Sequence, residues 1–445
     1  MRAFIFRLYS LLMWLAQPLL RRKMAKRALQ EPGYGEAVDE RFGHYTQPCE
    51  MSSSLVWLHA VSLGETRTAA VLLKAMRAQY PGLRILLTHG TATGRAEGRA
   101  LLQPGDVQVW QPLDSHTVVE RFFNHFKPRL GLLMETEIWP CTVSGARSRR
   151  MPLVLVNGRL SEKSLQQALR MSLLSYPAYG ALTAVYAQSA GDAKRYRQLG
   201  VEVTGVFGNL KFDAAPADSL QAMGKAWRKA LAQPVVMFAS SREGEEGFFL
   251  EEIKAASQQI QLQDATYSIA VKYLIVPRHP QRFDEMAALV VQHGLTLSRR
   301  SSWSGSPLEC TEAMQADIWL GDSLGEMPLY YALSDVALLG GSFAKLGGQN
   351  LIEAAACGCP VVMGPHTFNF AEAAEMAEVA GAALRVADMP AALQKALNLV
   401  SLPDLQQAAV SAGLAFAASH RGATAQTLAA LQPFLNPLST STSGD

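Results

Sequence analysis

Residues 55–82 read LVWLHAVSLGETRTAAVLLKAMRAQYPG, and this stretch decides the fold. Leu55–Ala60 is a short apolar run, as expected of a strand buried on both faces of a parallel sheet. Thr68–Gln79 then takes up helical spacing, and Pro81-Gly82 stops it. The same apolar-run-then-helix unit recurs, with strands expected at Arg84–Thr88, Val107–Gln111, Leu130–Met134, Leu153–Val156 and Thr183–Ala187. Regularity pauses over Asp213–Ser219 and restarts with Val235–Ala239, Lys272–Val276, Asp317–Leu320, Val336–Gly340 and Pro360–Met363. Alternation of this type predicts an α/β fold: two doubly wound, Rossmann-like domains, each a parallel sheet with helices on both faces. The domains are expected at 31–218 and 219–435, meeting near 215–225, with a separate helix at 1–30 and a flexible tail at 436–445.

Of 445 residues, 49% are hydrophobic and 18% charged, so large cores are expected and wholesale disorder is excluded. The net charge of +3 argues against a nucleic-acid partner. That total hides a basic head: Arg2, Arg7, Arg21, Arg22, Lys23, Lys26 and Arg27 precede any acid. The five cysteines are odd in number and show no CxxC spacing, which suits a reducing compartment. Cys357 and Cys359 read as small residues packing at a helix–strand junction rather than as metal ligands.

The N-terminal stretch Phe4–Leu20 is apolar apart from Arg7, and its uncharged run Leu8–Leu20 has 13 residues. A spanning helix needs about 20. The A-x-A pattern of a cleaved signal peptide is missing. An uncleaved interfacial helix or short anchor is expected, with Tyr9 and Trp14 at the headgroup boundary and Arg21-Arg22-Lys23 toward anionic lipid. A helix packed on the body is the alternative. The positive-inside tendency places the body in the cytoplasm.

Doubly wound domains bind ligands beyond the carboxyl ends of their strands, so residues following strands are the candidates. Glu65 in HAVSLGE is either a general base or an acid stabilised at a helix start, with Gly64 allowing the turn. Thr88–Arg95 is either an anion site or a glycine-rich turn with caps. Glu135 and Glu137 leave a very apolar strand two residues apart, suited to catalysis or to a hydroxyl-rich acceptor, or else to helix entry before Pro140. Lys211, near the hinge, either faces an interdomain cleft or pairs with Asp213.

In the second half, Arg242 follows one strand and Arg278 and His279 the next, where a phosphate or base would lie. Gly325-Glu326-Met327 precedes a helix. The run Gly340-Gly341-Ser342, then Gly347-Gly348-Gln349-Asn350-Leu351-Ile352-Glu353, lets backbone approach a ligand, with Glu353 placed either to accept from ribose hydroxyls or as an ordinary first-turn acid. Together they read as a nucleotide site.

The ordered motifs HAVSLGE, TATG, ETEIWP, GNLKFD, PRHPQRF, LGEMPLYYALSD, GGQNLIEAA and GPHTFNF, with the RFG at Arg41, resemble the 3-deoxy-D-manno-octulosonic acid (Kdo) transferases of lipopolysaccharide synthesis. The resemblance covers nearly the whole chain. It implies a GT-B fold and an inverting glycosyltransferase moving Kdo from CMP-Kdo to lipid IVA at the cytoplasmic face of the inner membrane. It implies Glu65 as catalytic base and Lys211 with Glu135 or Glu137 as transition-state stabilisers. Arg242, Arg278, His279, Gly325, Glu326, Met327, Asn350, Leu351, Ile352 and Glu353 are implied to hold the donor. CMP-Kdo is a substrate, and no cofactor or metal is expected. The family motif usually reads GGHN, and here Gln349 replaces the histidine, which can hydrogen-bond but not carry charge.

Overall fold

A computed structural model describes residues 2–49, 55–213, 216–262 and 270–439. The chain divides into two compact units, Met1–Asp213 with Arg421–Asp445, and Ala214–His420.

In the first unit the strands are β1 (Leu55–His59), β2 (Arg84–His89), β3 (Val107–Trp110), β4 (Leu130–Met134), β5 (Leu153–Gly158), β6 (Ala184–Ala187) and β7 (Gly205–Val206). All pair in parallel, in the order β3-β2-β1-β4-β5-β6-β7. Alternate residues of β1 feed opposite cores: Leu55 and Trp57 join Phe122, Phe123 and Phe126, whereas Val56 and Leu58 join Leu72 and Met76. That is why the strand reads as an unbroken apolar run.

The second unit repeats the plan. Its strands are β8 (Val235–Ser241), β9 (Lys272–Pro277), β10 (Leu297–Arg299), β11 (Ile318–Leu320), β12 (Val336–Leu339), β13 (Val361–Met363) and β14 (Ala383–Arg385), in the order β10-β11-β9-β8-β12-β13-β14. Each sheet therefore has one switch point, between β1 and β4 in the first unit and between β8 and β12 in the second. Ligands of such sheets sit beyond the strand ends at that point.

Three expectations change. The C-terminal helix Ala423–Ser439 belongs to the first unit, not to a domain ending at 435. Leu431 and Leu435 are fully buried there, in the core that holds Val56 and Leu58. Tyr80 Oη donates to Asn436 Oδ1 at 2.7 Å and Tyr186 Oη to the Ala430 carbonyl at 3.0 Å. Asp213 accepts from the N–H groups of Gly422 and Thr424 and so holds the helix start, which occupies both oxygens of the carboxylate expected as the alternative partner of Lys211. The expected tail at 436–445 is helical to Ser439, and residues 440–445 lie outside the described ones.

The N-terminal segment is two helices, Arg2–Leu15 and Gln17–Ala28, within the first unit. Phe6 and Tyr9 pack on the core of that unit, and Tyr9 Oη donates to Asp114 Oδ2 at 3.0 Å. Phe4, Leu11, Leu12, Trp14, Leu15 and Leu19 are each at least half exposed. Among the described residues no helix is long and apolar enough to cross a membrane.

Candidate active site

The β1 exit carries Glu65. Ser62 caps the helix Leu63–Gln79 by accepting from Glu65 N, which puts the glutamate in the first turn. Its Oε2 accepts from the Val61 N–H at 2.6 Å. The Val61 carbonyl is itself gripped, by Gly90 N at 3.0 Å, Thr91 N at 3.0 Å and Thr91 Oγ1 at 3.1 Å. This close packing is what requires glycine: a Cβ on Gly90 would lie 2.5 Å from Val61 Cγ1. Gly64, by contrast, is an ordinary helical residue with no positive φ, where an added Cβ would meet only Ser62 Oγ, at 4.0 Å. Burial, and then the neighbouring Glu135 carboxylate, push Glu65 up to about 7 against the pull of the Val61 N–H.

Glu135 leaves β4, next to β1 across the switch point, with φ +58, a left-handed conformation unusual for glutamate. Its carbonyl accepts from Arg159 N at 3.2 Å and Tyr196 Oη at 3.3 Å, which hold that turn. Lys211 Nζ lies 3.0 Å from Glu135 Oε1, a charge contact rather than an aligned hydrogen bond. Lys211 rides on the turn Leu210–Asp213, anchored where Leu210 N donates to Asn157 Oδ1 at 3.0 Å. The salt bridge expected as the alternative for Lys211, with Asp213, is thus replaced by one with Glu135, while Asp213 accepts from Gly422 and Thr424. Glu137 instead accepts from Trp139 Nε1 at 2.7 Å, and burial raises its carboxyl.

Thr88–Arg95 takes the capped-turn form. Thr91 Oγ1 accepts from Gly94 N, and Arg95 is buried against Glu40 at 2.6 Å. Arg41 lies 3.8 Å over the Trp110 ring and donates to the Gly90 carbonyl at 2.9 Å, so the RFG segment supports the same loop. His59 and His89 are buried below it, pulled down to about 3 and about 4 by burial, and are neutral at ordinary pH.

In the second unit, Arg242 follows β8 and Arg278 and His279 follow its neighbour β9. Burial and then the charges of Arg242 and Arg278 lower His279, so the imidazole and the two guanidiniums share one neighbourhood, with the imidazole favoured in its neutral form. Arg278 Nε donates to Gln349 Oε1 at 3.1 Å, so the residue in place of the family's histidine serves as an acceptor. Across the switch point β12 comes so near that a Cβ on Gly340 would lie 2.2 Å from the Ser240 carbonyl. Glu326 accepts from Arg300 Nη2 at 3.0 Å, after Gly325 at φ +81 and before Met327, the start of the helix Met327–Leu333. Asn350 Oδ1 accepts from Ile352 N at 3.1 Å. Leu351 and Ile352 are buried and offer a ligand only main chain, while Glu353 sits half-buried in the first turn of Ile352–Ala356.

Sequence reading assigned no role to Glu245. It is buried, and its carboxylate accepts from Gly341 N at 2.7 Å and from Phe343 N and Ala344 N at 2.9 Å, tying down the glycine loop. The only signal was its place four residues beyond a strand end. Among the described residues no group of three or more His, Cys, Asp or Glu is arranged to hold a metal ion.

A family model described as 3-deoxy-D-manno-octulosonic-acid transferase (kdotransferase) matches residues 36–214. The 3-deoxy-D-manno-octulosonic acid transferase of Bordetella pertussis is 45% identical over 435 residues, 96% of this chain and 99% of that protein. The enzyme of the same name from Haemophilus influenzae is 30% identical over 96% of this chain and 98% of its own length. In fold, the chain is similar to a glycosyltransferase of Rickettsia africae, with a TM-score of 0.54 at 12% identity over 88% of this chain and 99% of that one.

Proposed function

This chain belongs to the Kdo transferase family, and from that premise we propose that it moves Kdo from CMP-Kdo to lipid IVA with inversion, releasing CMP. The observation that carries the reading is Glu65: a carboxylate raised to about 7 at a sheet switch point, beside the Glu135–Lys211 pair. A base with that affinity takes a proton near neutral pH without being permanently occupied by one.

In the proposed step an acceptor hydroxyl attacks the anomeric carbon of Kdo. Its proton passes to Glu65, and the bond from that carbon to the CMP phosphate oxygen breaks, its electron pair leaving with CMP. Direct displacement inverts the centre. Lys211, held by Glu135, supplies positive charge during the step. Glu137, tied to Trp139, shapes the acceptor side. Arg242, Arg278 and His279 hold the phosphate, the Glu245-bound loop presents main-chain N–H groups, and Glu353 accepts from ribose. Glu326 with its flanking Gly325 and Met327, and Asn350 with Leu351 and Ile352, line the nucleoside. No cofactor enters the scheme.

The acceptor is a phosphorylated lipid, and residues 1–30 are proposed to lie on the anionic cytoplasmic face of the inner membrane. The exposed Phe4, Leu11, Leu12, Trp14, Leu15 and Leu19 beside the basic cluster support this. Mass spectrometry of lipid IVA incubated with CMP-Kdo and purified protein tests the whole reading. An added Kdo is expected, and unmodified lipid at full protein loading contradicts it.

A further inference from the structure

Beside the N-terminal helix lies a crevice of about 320 Å³ that the chemistry above does not use. Phe6 and Arg7 form one side, Pro140 and Arg147 the second, and Leu174 and Pro177 the third. All belong to the first unit. The walls are apolar and the charged groups are both arginines, so its chemistry suits an aliphatic chain attached to an anionic head.

Two elements connect this crevice to the acids. Pro140 directly follows Trp139, whose indole N–H holds Glu137 at 2.7 Å. The helix Ser172–Tyr179 that supplies Leu174 and Pro177 ends in Tyr179, whose phenol is raised by burial and then by the Glu137 carboxylate. Outward, exposed Met171, Leu173 and Tyr176 extend the apolar surface.

We propose that this crevice receives an acyl chain of the acceptor lipid, with Arg7 and Arg147 at its rim against a phosphate of the same molecule. The proposal rests on the acceptor being a phosphorylated, acylated sugar, as read above. The alternative source of an acyl chain is bulk membrane lipid. Only the acceptor's chain must lie a fixed distance from the hydroxyl that reacts, and both helices that wall the crevice reach Glu137 at one end, through Trp139 just before Pro140 and through Tyr179.

Ser144 lines the crevice and is exposed, so Ser144→Trp fills the space without entering a core. Its KM for lipid IVA is expected to rise roughly tenfold, the loss of a few buried methylenes, with kcat unchanged. KM for the same phosphorylated disaccharide stripped of its fatty acids should not change, and Ser144→Ala should behave as wild type. Equal effects on both acceptors, no effect on either, or a loss of membrane recovery alone would overturn the proposal. Co-sedimentation of radiolabelled lipid IVA with the full chain gives a reading independent of turnover. Weaker capture by Ser144→Trp supports the crevice even if wild type transfers no Kdo, and equal capture counts against it.

Discussion

The main-chain N–H of Val61 donates to Oε2 of Glu65 at 2.6 Å, and the Val61 carbonyl takes three donors from Gly90 and Thr91. The main chain of one residue, clamped through its carbonyl, thus fixes through its N–H one oxygen of the carboxylate from which the proposed chemistry starts. The loop behind it is fixed in turn by Arg41 on the Gly90 carbonyl.

Glu65 titrates at about 7, so kcat/KM should rise with pH along an acid limb of that midpoint. The sign follows from the role: a base works only when deprotonated. Glu135→Gln removes the nearby negative charge that helps raise Glu65, so the limb should move to lower pH. A limb unmoved in that variant would show that Glu135 does not act on Glu65.

The same group affects stability. Folded Glu65 keeps its proton up to about pH 7, whereas an exposed glutamate releases it near pH 4.3 (roughly). Over that interval the folded state binds more protons than the unfolded one, so stability falls as pH rises through it. Glu65→Gln removes the loss. Its Tm relative to wild type should climb from pH 5 to pH 8. A gap that stays constant across that range would count against a buried, raised carboxyl.

Thr91→Val keeps the branched shape but removes a donor to the Val61 carbonyl and the cap on Gly94 N. Loss of such a cap costs about 1 kcal/mol. If the Val61 N–H loses its aim, Glu65 loses the bond that favours its charged form, and the acid limb moves upward. Urea unfolding together with a pH–rate profile separates these effects. A stability loss with no change in the profile would make Thr91 purely structural.

The C-terminal helix is expected to be part of the first unit's stability. Leu431→Ala removes a fully buried side chain from the core containing Val56 and Leu58 and should cost roughly 2–5 kcal/mol. Hydrogen exchange should show the loss in β1 and in the helix Leu63–Gln79. Loosening confined to the second unit would contradict the assignment.

Much of this was legible in the residues. Leu130–Met134 is a strand with the bounds its composition predicts, because a central parallel strand is apolar on both faces. The strands that composition did not reveal, Gly205–Val206, Leu297–Arg299 and Ala383–Arg385, are all edge strands. Covered on one side only, they are two or three residues long and carry Arg299 and Arg385 without an apolar run. The C-terminal helix was misplaced because periodicity tells which face is buried but not against which core. Site acids and arginines were visible at strand exits. Their partners were not: Lys211 with Glu135, Arg95 with Glu40 and Glu245 with the 341–344 backbone join residues at least 55 apart in sequence, a pairing only the sheet order creates.

The central claim is that Glu65 accepts the proton of the attacking hydroxyl. Single-turnover transfer from CMP-Kdo to lipid IVA, followed by mass spectrometry at pH 8 for wild type and Glu65→Ala, tests it most directly. The account predicts product from wild type and a rate at least 100-fold lower (roughly) from the variant, with CMP-Kdo still bound. Transfer at the wild-type rate by Glu65→Ala would contradict it.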